Sequence, residues 1–187
     1  MQIQRTAIPE VLIAEPKVFG DDRGFFFENF NQREWFNKTG LKLQFVQHNH
    51  SRSQKNVLRG LHYQIRHPQG KLVRVVVGEI FDVAVDLRRN SATFGKWIGE
   101  YLSADNKKNL WIPEGFGHGF LVLSDIAEVL YNTTDFYSPE DERCILWSDD
   151  NLKIDWPLDH TPLLSEKDGK ACSFKKADIY EDLLNLR

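Results

Sequence analysis

The sequence is short of cysteine and contains no long apolar run. Its 187 residues include only two cysteines, Cys144 and Cys172, whose spacing is neither CxxC nor that of a metal site. We therefore expect free thiols in a reducing compartment rather than a disulfide framework. No apolar run approaches the roughly 18 residues that a membrane span requires, and the N-terminal MQIQRTAIPE lacks a basic-then-apolar signal. These absences predict a cytoplasmic protein with no membrane partner.

The chain also lacks an excess of charge of either sign. It carries 24 basic and 27 acidic residues, for a formal net charge of -3, and no basic stripe that could follow a phosphate backbone. We therefore expect no nucleic-acid partner. Neither GxGxxG nor GxxxxGK(S/T) occurs in the sequence, which is consistent with a protein that uses no redox cofactor.

What the sequence does contain is enough apolar material for one folded domain. With 41% apolar and 12% aromatic residues, the chain can bury a sizeable core. We predict a single domain over 1–187, with an N-terminal arm over about 1–20 and a C-terminal helical tail over about 175–187. In that tail Ile179, Leu183 and Leu186 recur at helical spacing.

The stretch from Arg59 to Asp86 is the one around which the rest of the chain is organised. It places an arginine, a histidine and a lysine inside strand-forming sequence. Apolar residues alternate over 72–77 and again over 81–87, on either side of Gly78-Glu79, which predicts a hairpin with one apolar and one mixed face. A barrel would turn the mixed face inward, where charged side chains can line a cavity for a polar ligand.

Short segments bounded by turn residues continue along the chain. Turn chemistry at 21–24 precedes a predicted strand over 25–30, and Asn31, Glu34 and Gly40 predict the start and end of a helix over 32–39. Further strands are predicted at 11–14, 97–102, 109–112, 119–123, 128–133 and 145–147. Short, regularly spaced strands are typical of a sandwich or jelly roll. The expected fold class is therefore all-β, a jelly-roll barrel with short peripheral helices.

Four residues could together perform acid–base chemistry beside a carbonyl group. A histidine such as His62 can remove a proton if a carboxylate such as Asp168 fixes its tautomer. Lys71 can stabilise an oxyanion, and the phenol of Tyr131 can deliver a proton from another direction. This set suggests proton abstraction next to a carbonyl. From spacing alone, each residue also fits a plainer role as a satisfied polar group, a solvated charge or a half-buried aromatic.

The remaining histidines divide into surface positions and one ligand candidate. His67 and His160 lie in polar turns and are expected at the surface, whereas His118 stands in the glycine-rich PEGFGHGF, where the backbone can approach a ligand. His48 and His50 form an HxH pair, but strand alternation points both away from the amide side chains beside them. A metal site is therefore the minor alternative.

Several blocks, in order over most of the chain, carry a resemblance to a known family. They are DDRGFFFENF, FVQHN, VLRGLHYQ, QGKLVRVVVGEIFDVAVDLR, LSADNKKNLWIPEGFGHGF, AEVLYNTTDFYSP, ILWSDD and LSEKD, between about residues 11 and 170. The sequence resembles the dTDP-4-dehydrorhamnose 3,5-epimerases, which are cofactor-independent, cupin-like jelly-roll enzymes of the pathway to dTDP-L-rhamnose. The resemblance implies no cofactor and no metal, and a homodimer in which the N-terminal arm is a candidate for exchange between subunits.

The resemblance also implies roles for individual positions. His62 would be the base, held by Asp168, while Tyr131 would be the acid and Lys71 would face the C4 carbonyl of the sugar. Tyr137 would stack on thymine. The other nucleotide and sugar contacts would come from Arg23, Glu28, Gln47, Asn49, Arg59, His118, Glu142 and Lys167.

The implied reaction follows from the ketone of dTDP-4-dehydro-6-deoxy-D-glucose. Its C4 carbonyl acidifies the hydrogens on C3 and C5, so one site can invert both carbons to give dTDP-4-dehydro-L-rhamnose. Two alternatives stay open: a related single-site 3- or 5-epimerase or ketoisomerase, and a non-catalytic sugar-binding cupin. Tyr131 argues against the first, because one-sided chemistry has less need of an opposing acid. His48 and Gly117 stand where the family more often has Asp and Ala, and we interpret His48 as a rim residue.

Overall fold

The structure is a computed structural model that describes residues 1–181, and most of its regular elements are β-strands. The strands are β1 (Gln2–Arg5), β2 (Leu12–Glu15), β3 (Phe19–Asp21), β4 (Gly24–Phe26), β5 (Gln47–Gln54), β6 (Leu58–Gln64), β7 (Lys71–Val77), β8 (Glu79–Asp86), β9 (Trp97–Ser103), β10 (Asn109–Ile112), β11 (Phe116–Val122), β12 (Ile126–Thr133) and β13 (Glu142–Cys144). The helices are α1 (Gln32–Thr39), α2 (Glu166–Gly169) and a 3-10 turn, Phe174–Lys176. Within the described part of the chain, no helix has the length and apolar character to cross a membrane.

The strands form two large antiparallel sheets and one separate hairpin. The six-stranded sheet has the order β1-β2-β10-β7-β12-β5, and the five-stranded sheet has the order β13-β6-β11-β8-β9. Within residues 1–181, strands β3 and β4 pair only with each other, across the turn at Asp22-Arg23. Strands that follow each other in the chain repeatedly lie in opposite sheets, as in a jelly roll. The expected all-β class, with short peripheral helices, is confirmed.

Apolar residues fill the space between the sheets and also cover the outer face of each. Val73 and Val75 of the six-stranded sheet belong to the same buried cluster as Ile80 and Phe116 of the five-stranded sheet. The outer face of the six-stranded sheet is covered by Trp35 of α1 and its neighbours, and that of the five-stranded sheet by the segment 145–180. Both faces of β8 are therefore buried, and its two aspartates, Asp82 and Asp86, are buried with them.

Helix α1 begins and ends where the sequence predicts. The Asn31 side chain accepts hydrogen bonds from the backbone N–H groups of Arg33 and Glu34, at 3.0 and 3.1 Å. Gly40 adopts φ 74° and donates its N–H to the Phe36 carbonyl, which closes the last turn. Both signals are local, so this boundary needs no knowledge of the tertiary fold.

The predicted hairpin over 72–87 is wrong, although both of its strands exist. β7 pairs with β10 and β12, whereas β8 pairs with β9 and β11 in the other sheet. Gly78 therefore forms a corner between sheets; it has φ 75°, and a Cβ there would lie 2.1 Å from the Ile126 carbonyl oxygen. Alternation and a glycine turn look the same for a hairpin and for such a corner, since both join two extended segments.

Four other elements also differ from the expectation. The N-terminal arm contains a further strand, β1, and the strand expected over 25–30 extends only over Gly24–Phe26. The strand expected at 145–147 lies instead at Glu142–Cys144. In the expected C-terminal helix, residues 177–181 are not helical and Tyr180 bridges to Arg88, while Leu183 and Leu186 lie outside the described residues.

Candidate active site

A polar cavity of about 400 Å³ opens between the two sheets. Gln47, Asn49 and Ser51 enter it from alternate positions of β5, so the inward face of this edge strand is polar. The full lining consists of Gln47, Asn49, Ser51, Arg59, His62, Tyr63, Gln64, Gln69, Lys71, His118, Phe120, Tyr131, Tyr137 and Glu142. Nine of the residues that the sequence assigns to the site thus share one cavity. They are Gln47, Asn49, Arg59, His62, Lys71, His118, Tyr131, Tyr137 and Glu142.

His62 and Asp168 form a hydrogen-bonded pair at this cavity. Nε2 of His62 lies 2.5 Å from Oδ1 of Asp168, which is held at the first turn of α2 and is almost fully buried. Burial acts to raise the pKa of this carboxyl, but the hydrogen bond from His62 holds it below its usual value. The carboxylate is therefore ionised and can only accept, so Nε2 carries the proton and the Nδ1 lone pair is free to act as a base.

Lys71 brings a buried ammonium to the same cavity. It is the first residue of β7 and only 8% exposed. Burial lowers its pKa from 10.5 to about 8, against the opposing effect of the Asp82 and Glu142 carboxylates. Among the described residues, none shares a hydrogen bond with its Nζ. Lys71 can therefore stabilise negative charge on a bound oxygen without first breaking a bond within the protein.

His118 lies on the inner face of the five-stranded sheet, beside a buried carboxylate. Its Nε2 lies 3.0 and 3.1 Å from the two carboxylate oxygens of Asp82. Burial lowers the pKa of this imidazole, although Asp82 acts to raise it. A neutral His118 that donates from Nε2 to Asp82 keeps Nδ1 as an acceptor. It is thus suited to bind a hydroxyl group.

Tyr131 lies in the sheet opposite His62. It belongs to β12, between Asn49 of β5 and Val73 of β7, and is half-buried. Burial raises the pKa of its phenol, with Arg59 acting in the opposite direction. The hydroxyl therefore stays protonated at neutral pH and can donate a proton. Since His62 comes from β6 of the five-stranded sheet, a base and an acid reach one cavity from two different sheets.

The mouth of the cavity carries charged and aromatic groups. The Tyr137 hydroxyl donates to Glu142 at 2.6 Å, and Glu142 also forms an ion pair with Lys167. The hydrogen bonds to Lys167 and Tyr137 hold the pKa of Glu142 low although burial acts to raise it. Arg59 donates from Nε to Ser53 at 3.0 Å, which leaves its terminal nitrogens for a ligand. These groups suit an anionic ligand with an aromatic ring.

Arg23 and Glu28 do not line the cavity. Arg23 lies at the turn of the β3–β4 hairpin, paired with Asp21, and its side chain is 89% exposed. Glu28 is also exposed and accepts a hydrogen bond from Asn31. The sequence predicts ligand contacts for both, and in a single chain they lie apart from the other candidates.

The structure adds residues that the sequence reasoning did not assign. Ser51 continues the period of two from Gln47 and Asn49, so alternation could have identified it. Asp82 is fully buried within β8. A carboxylate among the apolar residues of this strand could have predicted a buried polar partner, because a buried charge needs one. Gln69 and Cys144 gave no local signal, because their positions depend on how distant loops pack. His48 and His50 are exposed and point away from the cavity, as predicted.

Comparison with known proteins identifies the family. A family model described as dTDP-4-dehydrorhamnose 3,5-epimerase matches residues 5–176. The chain belongs to this epimerase family. It is 63% identical over 180 residues to the dTDP-4-dehydrorhamnose 3,5-epimerase of Pseudomonas aeruginosa, covering 96% of this chain and 99% of the relative. The resemblance read from the sequence blocks is therefore confirmed.

Two solved structures of epimerases have the same fold. One is the dTDP-6-deoxy-D-glucose-3,5-epimerase RmlC of Legionella pneumophila, solved in complex with dTDP-4-keto-L-rhamnose. It superposes with a TM-score of 0.94 and is 50% identical in sequence, and the match covers 97% of this chain and 98% of that chain. ChmJ of Streptomyces bikiniensis, a 3'-monoepimerase in complex with dTDP-quinovose, gives 0.87 at 32% identity over 97% and 90%. One jelly roll thus serves both double and single epimerases.

Proposed function

We propose that this epimerase inverts both C3 and C5 of dTDP-4-dehydro-6-deoxy-D-glucose and so forms dTDP-4-dehydro-L-rhamnose, in the synthesis of dTDP-L-rhamnose. The observation that carries the proposal is the placement of His62 and Tyr131 in opposite sheets around one cavity. Inversion requires a proton to leave one face of a carbon and another to arrive on the opposite face. A base and an acid from two sheets provide these two directions.

The chemistry can be assigned to residues of this chain. Nδ1 of His62 removes the proton next to the ketone, and Asp168 stabilises the imidazolium that forms. The electron pair moves to the C4 oxygen, where the Lys71 ammonium stabilises the enolate. Tyr131 then delivers its proton to the other face. His62 loses its proton to solvent and Tyr131 regains one, so the site is reset for the second carbon.

The nucleotide has matching groups at the cavity mouth. Arg59 and Lys167 offer positive charge to the diphosphate, and the fork of arginine suits paired phosphate oxygens. Tyr137 is about half exposed, with its ring available for stacking on thymine. Gln47 and Asn49 hydrogen-bond to each other at 2.9 Å and supply both donors and acceptors to the ligand.

We further infer that the protein is a homodimer that exchanges the β3–β4 hairpin. Phe19, Phe25 and Phe26 of this hairpin are 53%, 63% and 71% exposed. Three large apolar side chains on one small hairpin favour a covering partner. Seated over the cavity of a second subunit, the hairpin would bring Arg23 and Glu28 to the ligand. The two free cysteines, Cys144 and Cys172, fit a cytoplasmic setting.

Isotope exchange tests the reaction directly. The protein is incubated with dTDP-4-dehydro-6-deoxy-D-glucose in deuterated water, and C3 and C5 are followed by NMR. We expect deuterium at both positions together with the L-rhamno product, and neither in a His62→Ala control. Deuterium at C3 alone would contradict the double epimerase. It would favour a single-site reaction, such as the name 3'-monoepimerase describes for ChmJ.

A further inference from the structure

A third donor atom lies beside His62 and Asp168, and the proposed reaction does not use it. Cys144, the last residue of β13, directs its thiol to Oδ1 of Asp168 at 3.6 Å. Nε2 of His62 reaches the same oxygen. One ligand atom from each of the three residues lies within 4.8 Å of the other two. Imidazole, thiolate and carboxylate are the groups that bind zinc in proteins.

We propose that His62, Cys144 and Asp168 form an inhibitory binding site for a thiophilic divalent cation of the zinc class. An ion held there would occupy the catalytic pair and stop proton transfer. The effect on turnover rests on the proposed epimerase function. The binding of the ion does not, because it depends only on the three donors.

The charge of the donor set suits a divalent ion. A carboxylate and a thiolate each contribute one negative charge and the imidazole is neutral, so together they balance a doubly positive cation. Such a set with one open position for water resembles the three-ligand zinc sites of enzymes. Mg²⁺ and Ca²⁺ prefer oxygen ligands and gain little from a thiolate, so the site should discriminate against them.

To share one ion, the three donor atoms must shift by about 1 Å relative to one another. With zinc bonds of about 2.0–2.3 Å and tetrahedral angles, neighbouring donor atoms lie roughly 3.3–3.6 Å apart. The distance of 3.6 Å between Cys144 and Asp168 already meets this requirement. The contact of 2.5 Å between His62 and Asp168 must lengthen by somewhat less than about 1 Å. The ligand atoms of His62 and Cys144, which lie within 4.8 Å of each other, must approach by up to about 1.3 Å. His62 lines the cavity, which gives the ion a route from solvent.

The proton changes on binding explain why the ion would inhibit. The Cys144 thiol must release its proton to solvent when it binds the ion, because the thiolate is the metal ligand. The imidazole proton moves from Nε2 to Nδ1, which frees the Nε2 lone pair for the ion. Nδ1 of His62 then carries a hydrogen and cannot accept one from the substrate.

Zinc titration of the epimerase rate is the first test. Tag-free protein is titrated with Zn²⁺, and each variant is compared with its own uninhibited rate. We expect inhibition that EDTA reverses, and none with Mg²⁺. Because a change in even an outer-shell partner typically weakens metal binding 10–100-fold, Cys144→Ser should raise the half-inhibiting zinc concentration at least ~10-fold. Cys172→Ser, which changes an exposed thiol outside the donor set, should behave as the unmodified protein does.

Cobalt spectroscopy tests binding without reference to turnover. Co²⁺ bound through a thiolate gives a charge-transfer absorption in the near ultraviolet, which we expect for the unmodified protein and for Cys172→Ser but not for Cys144→Ser. Circular dichroism checks that each variant is folded. A band that persists in Cys144→Ser, or equal zinc sensitivity of both variants, would refute the site. A band through Cys144 without inhibition would refute its inhibitory role. A protein that lacks epimerase activity would contradict the proposed function alone.

Discussion

His62 and Asp168 act as one unit, because each determines the proton state of the other. The carboxylate accepts from Nε2 and so leaves the lone pair on Nδ1. The same hydrogen bond holds the pKa of Asp168 low in spite of burial. Neither residue can therefore be replaced without changing what the other does.

Replacing His62, the proposed base, should reduce activity rather than binding. General base catalysis typically contributes ~10²–10⁴-fold to the rate, so we expect His62→Ala to reduce kcat by at least ~10²-fold. The affinity for dTDP, measured by calorimetry, should stay within a few fold of that of the unmodified protein. Adding Asp168→Asn should cause little further loss, because the unit is already broken. Additive losses in the double variant would show that the two residues act independently.

Lys71 should lower stability while it supports catalysis. Its folded pKa, about 8, lies below the unfolded value of 10.5, so the unfolded chain binds the proton more tightly. At 1.36 kcal/mol per pH unit, the buried charge costs about 3 kcal/mol below pH 8, and this cost disappears as pH rises from 8 to 10.5. Lys71→Met should therefore raise the free energy of unfolding at pH 7 and lose at least ~10²-fold in kcat.

Denaturant unfolding at several pH values checks the stability part. We expect the advantage of Lys71→Met over the unmodified protein to be largest below pH 8 and to shrink between pH 8 and 10.5. A constant difference across this range, or a less stable variant at pH 7, would mean that Lys71 does not carry a destabilising buried charge. Circular dichroism of both proteins at each pH serves as the control for the fold.

The chemistry of single residues could be predicted only in part from the sequence. The sequence blocks identified His62, Lys71 and Tyr131 as candidates, and all three line one cavity. The hydrogen bond to Asp168 spans 106 positions, so spacing alone could not establish it. The pKa of the Cys144 thiol is raised by burial under distant segments of the chain, so the sequence could not predict this shift either.

Among the elements, the β3–β4 hairpin is the one whose role a single chain does not explain. It pairs with no other strand among the described residues, it exposes three phenylalanines, and it carries Arg23. Domain exchange would bury these groups and complete the cavity of a second subunit.

Mixing two impaired variants should restore activity if the hairpin is exchanged. Arg23→Ala and His62→Ala are coexpressed, so that a mixed dimer contains one cavity with both residues intact. Random assortment gives half mixed dimers, and the mixture should recover about a quarter of the unmodified activity. A rate equal to the mean of the two separate variants would indicate that the hairpin of one subunit does not complete the cavity of the other. Gel filtration of each variant controls for the oligomeric state.

Elements were predictable to the extent that their signals are local. The boundaries of α1 follow from Asn31 and Gly40, whose hydrogen bonds lie within the helix itself. The pairing of β7 and β8 was wrong because strand partners are chosen by the global packing of two sheets, and alternation says nothing about which neighbour a strand takes. Strand β1 was missed because its sequence QIQR is polar and becomes a strand only through β2.

At the scale of the whole molecule, two sheets enclose one cavity and supply different chemistry to it. The five-stranded sheet contributes His62 and His118, and the six-stranded sheet contributes Lys71 and Tyr131. Apolar clusters on the outer faces hold both sheets in place. In the proposed mechanism, this division delivers protons from two sides of the substrate.

Catalysis by these side chains should not need an added ion. Exhaustive treatment with a chelator should leave the turnover rate and the melting temperature unchanged, since Lys71 is the proposed stabiliser of the oxyanion. Activity that disappears on chelation and returns with one divalent ion would reverse this expectation. The control is protein assayed in the same buffer with the chelator already saturated by Ca²⁺.

Tyr131→Phe tests the two-sided site most directly. The change removes the hydroxyl but keeps the ring and its packing, so stability should be nearly unaffected. His62 can still remove a proton and return one to the same face, so deuterium exchange into the substrate should continue while inversion, particularly at C5, falls steeply. Both rates are measured by NMR in one sample. Exchange and inversion that decline in equal proportion, or that do not decline, would contradict the assignment of Tyr131 as the opposing acid.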